Sequence, residues 1–478
     1  MIRVADFMAG GGGSSQGILC VPGTELTVVL NHWQLAVDSH QLNFPKADHK
    51  CCDISQADFR RFPYVEILWA SPECTHHSVA SGRKRIQLDQ VPDEHGEVLP
   101  ADAAERSRAT AWDVLRYLER MLLRGRPVLG GIVENVVDFQ RWNLFEAWRK
   151  GFELLNYDIE VFYINSAHAH SRRALWAPQS RDRMYVGYWH RSLGRRPLWE
   201  KWLRPHATCP AHGAVRGRQV FKRTDREPWG RFRSQYTFHC DRPGCDHTVE
   251  PVALPASTAV DWSLPAQRIG DRRKPLAEKT MARIRDGLER YARHLVVPVE
   301  GRLGKQAKPL DEPARTMTTR RETGVAFTPF VAELRGGSSK HRSTEDPLCT
   351  VTASGNHHGL VTEDLAVAGQ DMALPYYGNS RARPLSQPLG ALTTVDRYAL
   401  LKAQIEAENC LFRMLEPEEI GRAMSFREGY RLLGTKRERV RMYGNAVTPP
   451  SAEILVSALV ECITGEDLEP SSAPALCA

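Results

Sequence analysis

Residues 67–78 read ILWASPECTHHS: an apolar run, a Ser-Pro break, then a lone cysteine followed by two histidines and a serine. The run belongs to a β-rich stretch, Val65–Ala70, and similar stretches stand at Val4–Met8, Leu26–Leu30 and Pro127–Val133. Between Ala70 and Pro127, the segment Ala104–Leu123 repeats Ala, Leu, Trp and Tyr at three- and four-residue steps, the period of a helix. Strands alternating with helices predict an α/β fold, a doubly wound and mostly parallel sheet covered on both faces. Ligands in such sheets lie beyond the carboxyl ends of the strands. Cys74 falls there.

At 478 residues the chain is long enough for two or three domains, and 42% hydrophobic with 25% charged residues is an ordinary globular composition. No apolar run approaches the roughly 20 residues of a membrane span. The opening MIRVADFMAG has neither the charged n-region nor the long apolar stretch of a secretory signal. These features predict a cytoplasmic protein with no membrane partner. In that compartment the eleven cysteines read as thiols, metal ligands or nucleophiles rather than disulfides. The net charge is +7, and residues 191–250 alone carry 13 Lys/Arg against 6 Asp/Glu. That surplus suits a phosphate-rich partner and equally suits a solvated basic face.

The texture changes near residue 191. Pro, Gly and Arg become frequent, and three related pieces recur: PARTMT (313–318), PLCTVT (347–352) and PLGALT (388–393). Their alternating Thr and apolar positions predict short strands in a second, mostly β module. Helical character is expected again over 401–430, with a further helix over 451–464 and a flexible tail at 466–478. The predicted division is 1–190 plus 400–465 for the sheet domain and 191–400 for the β module.

Cys74 admits three readings. A buried inert thiol is the commonest fate of a lone cysteine. A metal site with His76 and His77 would be an awkward tetrahedron. A nucleophile needs an acid or polarising group from elsewhere. PVLGGIVENVVDF (127–139) supplies a candidate, a core-type strand ending in Glu134-Asn135, where a carboxylate is costly to bury without a partner or a task. A cap or salt bridge is the plainer alternative. APQSRDRMYVGYW (177–189) sets Arg181 and Arg183 two apart, on one side of an extended chain. ADFMAGGGGSSQG (5–17) runs a strand into four glycines, which permits a tight turn and close approach to a ligand. It lacks the lysine of a phosphate-cradling loop, which argues against ATP.

Taken in order, the glycine-rich turn, Pro-x-Cys, Glu-Asn-Val, Gln-x-Arg-x-Arg and the Gly-Asn-Ala-Val-x-Pro of YGNAVTPPSAEIL (443–455) resemble the cytosine-C5 DNA methyltransferases of bacteria and phages. The resemblance covers residues 1–190 and about 400–465. It implies a class I, Rossmann-like S-adenosylmethionine-binding domain, with the β module 191–400 recognising the DNA target. It further implies that the Cys74 thiolate adds to C6 of a flipped-out cytosine while Glu134 holds the N3/N4 edge and favours protonation at N3. C5 then takes the methyl group, and loss of its proton expels the thiolate, covalent catalysis that divides a hard step. Arg181 and Arg183 would contact the O2 edge and a nearby phosphate and position Cys74 and Glu134. The loop after Ser78, VASGRKRIQ, would close over DNA or be a plain surface loop.

For the cofactor the resemblance carries over Met8, Gly10, Gly12, Gly13, Asn31, Asp53, Pro72, Asn445 and Ala446. The family has Phe where Met8 stands, so adenine stacking would pass to Met8 or Phe7. It has Glu where Asn31 stands, and a neutral amide bonds a ribose hydroxyl less strongly than a carboxylate. Glu73 replaces the proline usual before the cysteine, and an acid there would raise the thiol pKa if it pointed inward. NSAHAHSRRALWAPQ (165–179) is longer than the family's link into the arginine segment.

A second set lies in the basic region. CPAH (209–212) and CDRPGC (240–245) offer Cys209, His212, Cys240 and Cys245 as a structural zinc set in a ribbon over about 205–251, with His206, His239 and His247 as nearby substitutes. Loose thiols and a surface histidine are the alternative. The partners expected are double-stranded DNA and S-adenosylmethionine, the chain acting as a monomer with a cognate restriction nuclease as a further candidate partner. Rival readings are an RNA cytosine-C5 methyltransferase, a non-catalytic zinc-ribbon DNA-binding protein, and a transferase of a modified methyl-like group.

Overall fold

The computed structural model describes residues 1–72, 101–278 and 407–472, with short segments between 280 and 401. The chain forms two compact units: Met1–Val260 with Asp346–Asn356 and Glu416–Ala478, and Asp261–Glu345 with His357–Leu415.

The first unit opens with β1 (Ile2–Phe7), α1 (Gly13–Cys20), β2 (Thr24–Asn31), α2 (Gln34–Asn43), β3 (Asp48–Cys51) and β4 (Ile67–Ala70). It continues through α3 (Ala101–Leu123), β5 (Gly130–Asn135), α4 (Phe145–Leu154), β6 (Tyr157–Asn165), β7 (Gln179–Ser180), β8 (Asp182–His190) and α5 (Trp199–Leu203). Seven strands form one sheet in the order β3-β2-β1-β4-β5-β8-β6. The first five run parallel, and β8 lies antiparallel between β5 and β6. This is the doubly wound, mostly parallel sheet expected from the alternating runs. All four residues of β4 and all six of β5 are buried, as strands covered on both faces must be.

Four further strands, β9 (His206–Cys209), β10 (Gly213–Phe221), β11 (Tyr236–Cys240) and β12 (Thr248–Pro251), close into a small antiparallel barrel. Its buried Ala207, Val215, Tyr236, Phe238 and Val249 belong to the same apolar core as Phe7, Leu68 and Val133 of the sheet. The boundary read from the sequence at residue 190 therefore moves to about 260, because this ribbon lacks a separate core and shares the sheet's.

The chain returns to this unit with α6 (Pro417–Ala423), α7 (Lys436–Asn445) and α8 (Pro449–Thr464). Prolines fill the first turn of α8, and Gly465 closes it in the left-handed conformation (φ 79°). Every residue from Pro449 to Cys462 is buried. Taken together, α7 and α8 (Lys436–Thr464) hold a stretch as long and apolar as a membrane span, more than the apolar runs alone suggested, and 94% of that stretch is buried inside the protein. Gly17 explains how α8 docks: a Cβ there would lie 2.2 Å from the Pro449 carbonyl oxygen and 2.7 Å from Ala452 Cβ. Glu453 of α8 accepts the backbone N–H groups of Arg172, Arg173 and Ala174 at 2.8, 2.9 and 2.6 Å, which fixes the lengthened 165–179 link.

Two expectations need correction. Among the described residues near the start of 401–430, Ala407–Asn409 is a single 3-10 turn and Cys410–Met414 is a strand whose Cys410 and Phe412 point into a core, and α-helix begins only at Pro417. Nor is the whole of 466–478 a loose tail. The Ser471 carbonyl accepts from His206 Nε2 (2.9 Å) and Arg216 Nη2 (2.7 Å), and the Leu468 amide donates to Glu461 (2.7 Å). Residues 473–478 lie outside the described residues.

In the second unit Gln267–Arg268, Cys410–Met414, His358–Glu363, Phe330–Glu333 and His341–Ser343 form an antiparallel sheet over a core of Ile269, Met281, Ile284, Phe330, Val361 and Phe412. Two three-stranded sheets complete its described strands, so it is mostly β, as expected. Of the three related pieces, PARTMT and PLGALT lie outside the described residues. Leu348–Cys349 of the middle one pairs in parallel with β7, in the first unit.

Candidate active site

The carboxyl ends of β3, β2, β1, β4 and β5 and the amino end of β8 line up along one edge of the sheet, because Asn31 pairs with Cys51, Phe7 with Leu30 and Ala70, Ala70 with Val133, and Asn135 with Met184 of the antiparallel β8. Cys74, His76, His77 and the loop after Ser78 lie outside the described residues. Their approach is described, however. The Ser71 amide donates to the Phe7 carbonyl (3.1 Å), and Asn135 Nδ2 donates to the carbonyl of Pro72 (3.1 Å). The residue beside Glu134 thus grips the chain two residues before Cys74. Sequence reading quoted Asn135 only as part of a motif and missed this bond.

Glu134, at the end of β5, is 7% exposed. Arg183 Nε, from β8, meets its Oε1 at 3.0 Å. Burial pushes the Glu134 carboxyl upward, opposed by the charges of Arg183 and then Arg181. A buried ion pair adds little to stability, since desolvation offsets the attraction. Arg181 and Arg183 divide the work. The Arg181 guanidinium is buried, and its Nη2 donates to the carbonyls of Gly444 (3.0 Å) and Ala446 (3.2 Å). It ties the Gly-Asn-Ala segment to β8 while its charge bears on Glu134.

The glycine turn leads from β1 into α1. Met8, Gly10 and Gly12 all have positive φ (56°, 53° and 86°). The turn's glycines serve two ends. A Cβ on Gly13 would stand 2.0 Å from the Val447 carbonyl oxygen, and one on Gly12 would stand 2.4 Å from the Tyr430 hydroxyl, so both leave room for the chain's own C-terminal segments. A Cβ on Gly10 would meet nothing within 4 Å, which leaves open space beside the turn. Under it, Asp6 is fully buried and accepts from the hydroxyls of Ser14 and Ser15 at 2.6 Å each. Burial raises its carboxyl to about 7. Ser15 in turn touches His40 Nε2 (2.9 Å), and Tyr430 donates to the Gly11 carbonyl (2.7 Å). An acid inside an apolar strand was the sequence signal for Asp6, and it went unused.

Beyond the turn, Asn31 Oδ1 accepts from the Trp33 amide (2.9 Å), which leaves its NH2 as the remaining polar group. Asp53 is exposed, with one oxygen on the Ser55 amide (2.9 Å). Asn445 is exposed and Ala446 buried. Open space at Gly10, flanked by donors and an exposed carboxylate on adjacent strand ends, fits an adenosyl-amino-acid cofactor.

Cys209, His212, Cys240 and Cys245 converge at the barrel, their ligand atoms all within 4.8 Å of one another. His206 and His239 are engaged elsewhere, with the Ser471 carbonyl and with Asp246 (2.8 Å). Within the basic segment 191–250, Arg191, Lys201 and Arg231 pair with acids from outside it, Asp158, Glu461 and Asp138, whereas Arg204, Arg218, Arg223 and Arg233 pair with the segment's own acids and leave its net surplus unchanged.

No family model matches the sequence, and no curated protein matches it. Among solved structures the chain is similar to a prophage protein of E. coli assigned as a DNA modification methyltransferase (14% identity, TM-score 0.44, covering 97% of this chain and 99% of that one). It is also similar to the S. pombe Dnmt2 methyltransferase (14%, 0.49, 97% and 99%) and to the Entamoeba histolytica methyltransferase EhMeth (11%, 0.47, 97% and 98%).

Proposed function

We propose that this chain is a site-specific DNA methyltransferase that transfers a methyl group from S-adenosylmethionine to C5 of a flipped-out cytosine. The observation that carries the proposal is the hydrogen bond from Asn135 to the Pro72 carbonyl, which brings the approach to Cys74 beside the buried Glu134–Arg183 pair. Three motifs far apart in sequence thereby meet at one strand-end edge. In this reading the Cys74 thiolate adds to C6, and Glu134 engages the N3/N4 edge of the ring. The upward push on the Glu134 carboxyl favours the proton it must share with N3 as charge builds. Arg183 holds that carboxyl in place, and Arg181 is a positioning residue that locks the Gly-Asn-Ala segment against β8. S-adenosylmethionine supplies an electrophilic methyl group when bound. Gly10, Asn31, Asp53 and Asn445 would hold it, with Met8 against the adenine; Phe7, fully buried among Phe59, Phe62 and Tyr117, does not reach it. Zinc belongs to the barrel and not to this step.

Expression in a methylation-deficient host, followed by mapping of 5-methylcytosine, tests the proposal. Methylation at one short recurring sequence, absent with Cys74→Ser, is the expected result. Methylated tRNA with unmethylated DNA would replace DNA by RNA as substrate. No methylated base with either would overturn the enzymatic reading.

A further inference from the structure

Zinc bonds thiolate sulfur at about 2.3 Å and imidazole nitrogen at about 2.0–2.1 Å, so a regular tetrahedron has S···S edges of about 3.8 Å and S···N edges of about 3.6 Å. Cys209 Sγ lies 3.8 Å from Cys245 Sγ and 3.6 Å from His212 Nδ1, and Cys240 Sγ lies 3.6 Å from the same nitrogen. The spacing is that of ligands around a single ion, with no ion needed to draw the comparison. The surroundings agree. The amides of Ala211 and His212 face the Cys209 sulfur, that of Arg242 faces the Cys240 sulfur, and His247 Nδ1 stands 3.2 Å from Cys245 Sγ. Outer donors of this kind stabilise metal-bound thiolates.

The barrel does not hang free. The connection from β10 to β11 leaves the end of β11 opposite Cys240 and grips the sheet at two places. Phe232 donates its amide to Asp182 (3.0 Å), the residue between Arg181 and Arg183. Arg231 Nη2 bonds Asp138 (2.6 Å), and Trp229 Nε1 bonds the Val137 carbonyl (3.1 Å), just past Glu134. Arg141 lies 3.8 Å over the Trp229 ring, and His168 packs edge-on against Phe232 with ring centroids 4.4 Å apart. Both members of the Glu134–Arg183 pair are thus flanked by residues that the ribbon holds.

We propose that Cys209, His212, Cys240 and Cys245 bind one tetrahedral divalent metal of the zinc type, and that the barrel so closed is a clamp that positions the ends of β5 and β8. The positioning role rests on the catalytic reading of Glu134 and Arg183; the metal site does not. A four-stranded barrel this small, with thiols at its seam, gains its rigidity from the ion.

The full-length protein, purified without chelator, tests both parts. Metal analysis should find about one zinc per chain, and cobalt exchanged for it should give the intense visible spectrum of a tetrahedral thiolate site. Cys240→Ser should abolish both. Wild-type protein with no stoichiometric metal and no such cobalt spectrum would overturn the site, whether or not the protein methylates anything. Hydrogen exchange reads the clamp without requiring activity. Removing zinc should speed exchange of amides 134–141 and 181–183 by about tenfold or more while amides of β1 and β2 stay protected, and restored zinc should reverse it. Arg231→Ala, which leaves the four ligands intact, should retain zinc yet speed exchange at 136–141. Unchanged exchange at both segments after zinc removal would overturn the clamp. In turnover assays the zinc-free protein should lose kcat more than affinity for S-adenosylmethionine; equal losses would point to general unfolding instead.

Discussion

At the β1–β3 end of the sheet, the residues read as cofactor contacts are small, neutral or exposed: Gly10 faces open space, and Asp53 and Asn445 reach solvent. At the β5–β8 end they are charged, buried and ion-paired, with Glu134 on Arg183 and Arg181 on two carbonyls. The contrast is the one that the proposed reaction calls for. A region that binds a whole molecule needs vacant volume and polar groups still able to form bonds. A region that steers charge during a reaction needs fixed dipoles placed in advance and shielded from water. Buried charge is costly, and beside this pair Asp182 and Asp138 accept hydrogen bonds from Phe232 and Arg231 of the ribbon.

The largest effect that could break this contrast is at Glu134. Glu134→Gln should lower the single-turnover rate of methyl transfer by about 10²- to 10⁴-fold, with S-adenosylmethionine affinity nearly unchanged. A rate within a few-fold of wild type would place the acid chemistry elsewhere. Next in size is the pH dependence at the quiet end. Asp6 is raised from 3.8 to about 7, so the folded state holds a proton that the unfolded state releases. Its contribution to stability is fully present below about 3.8 and lost as pH rises through about 7, on the order of a few kcal/mol in all. His40 and His170, each lowered to about 3 by burial, give a slope of the opposite sign over part of that window. The measurement is therefore the difference in urea-unfolding free energy between wild type and Asp6→Asn from pH 4 to 8. That difference should shift steadily in favour of the variant as pH rises; a flat difference would refute a protonated Asp6.

How much of this was legible in the sequence follows the same division. The strand runs, the glycine turn and the order of motifs each announce themselves locally, so the sheet and its strand-end site could be read from Val65–Ala70 and Pro127–Val133. What escaped was everything decided by distant packing. Gly12 and Gly13 read as cofactor glycines, and the local sequence held no sign of their other consequence, room for Tyr430 and Val447 from more than 400 residues away. The ribbon read as part of a separate module because its composition changes at 191, whereas its apolar residues complete the sheet's own core. Cys410–Met414 read as helical because a five-residue strand between polar stretches carries too little period to declare itself.

A pair of glycine variants sharpens the comparison at a smaller scale. Gly13→Ala drives a Cβ against a backbone oxygen that cannot yield, and should cost about 1–3 kcal/mol in unfolding free energy. Gly10→Ala meets no atom and should cost only about 1 kcal/mol for its positive φ, while weakening S-adenosylmethionine binding more than Gly13→Ala does per unit of stability lost. Equal profiles would mean that the turn has one role. Smallest of all, Asp53→Asn should raise the Kd for S-adenosylmethionine by roughly tenfold, the scale of one charge-assisted hydrogen bond, with calorimetry as the readout.

The central claim is that Cys74 and Glu134 address the same everted cytosine, and trapping tests it most directly. A duplex carrying 5-fluorocytosine at the mapped target site cannot lose a C5 proton after methylation, so the enzyme should remain bound to it. With S-adenosylmethionine present, mass spectrometry should find one methylated base joined to the peptide containing Cys74, and Glu134→Gln should slow its formation sharply. A stable adduct on another residue, or none with a protein that methylates ordinary DNA, would contradict the account.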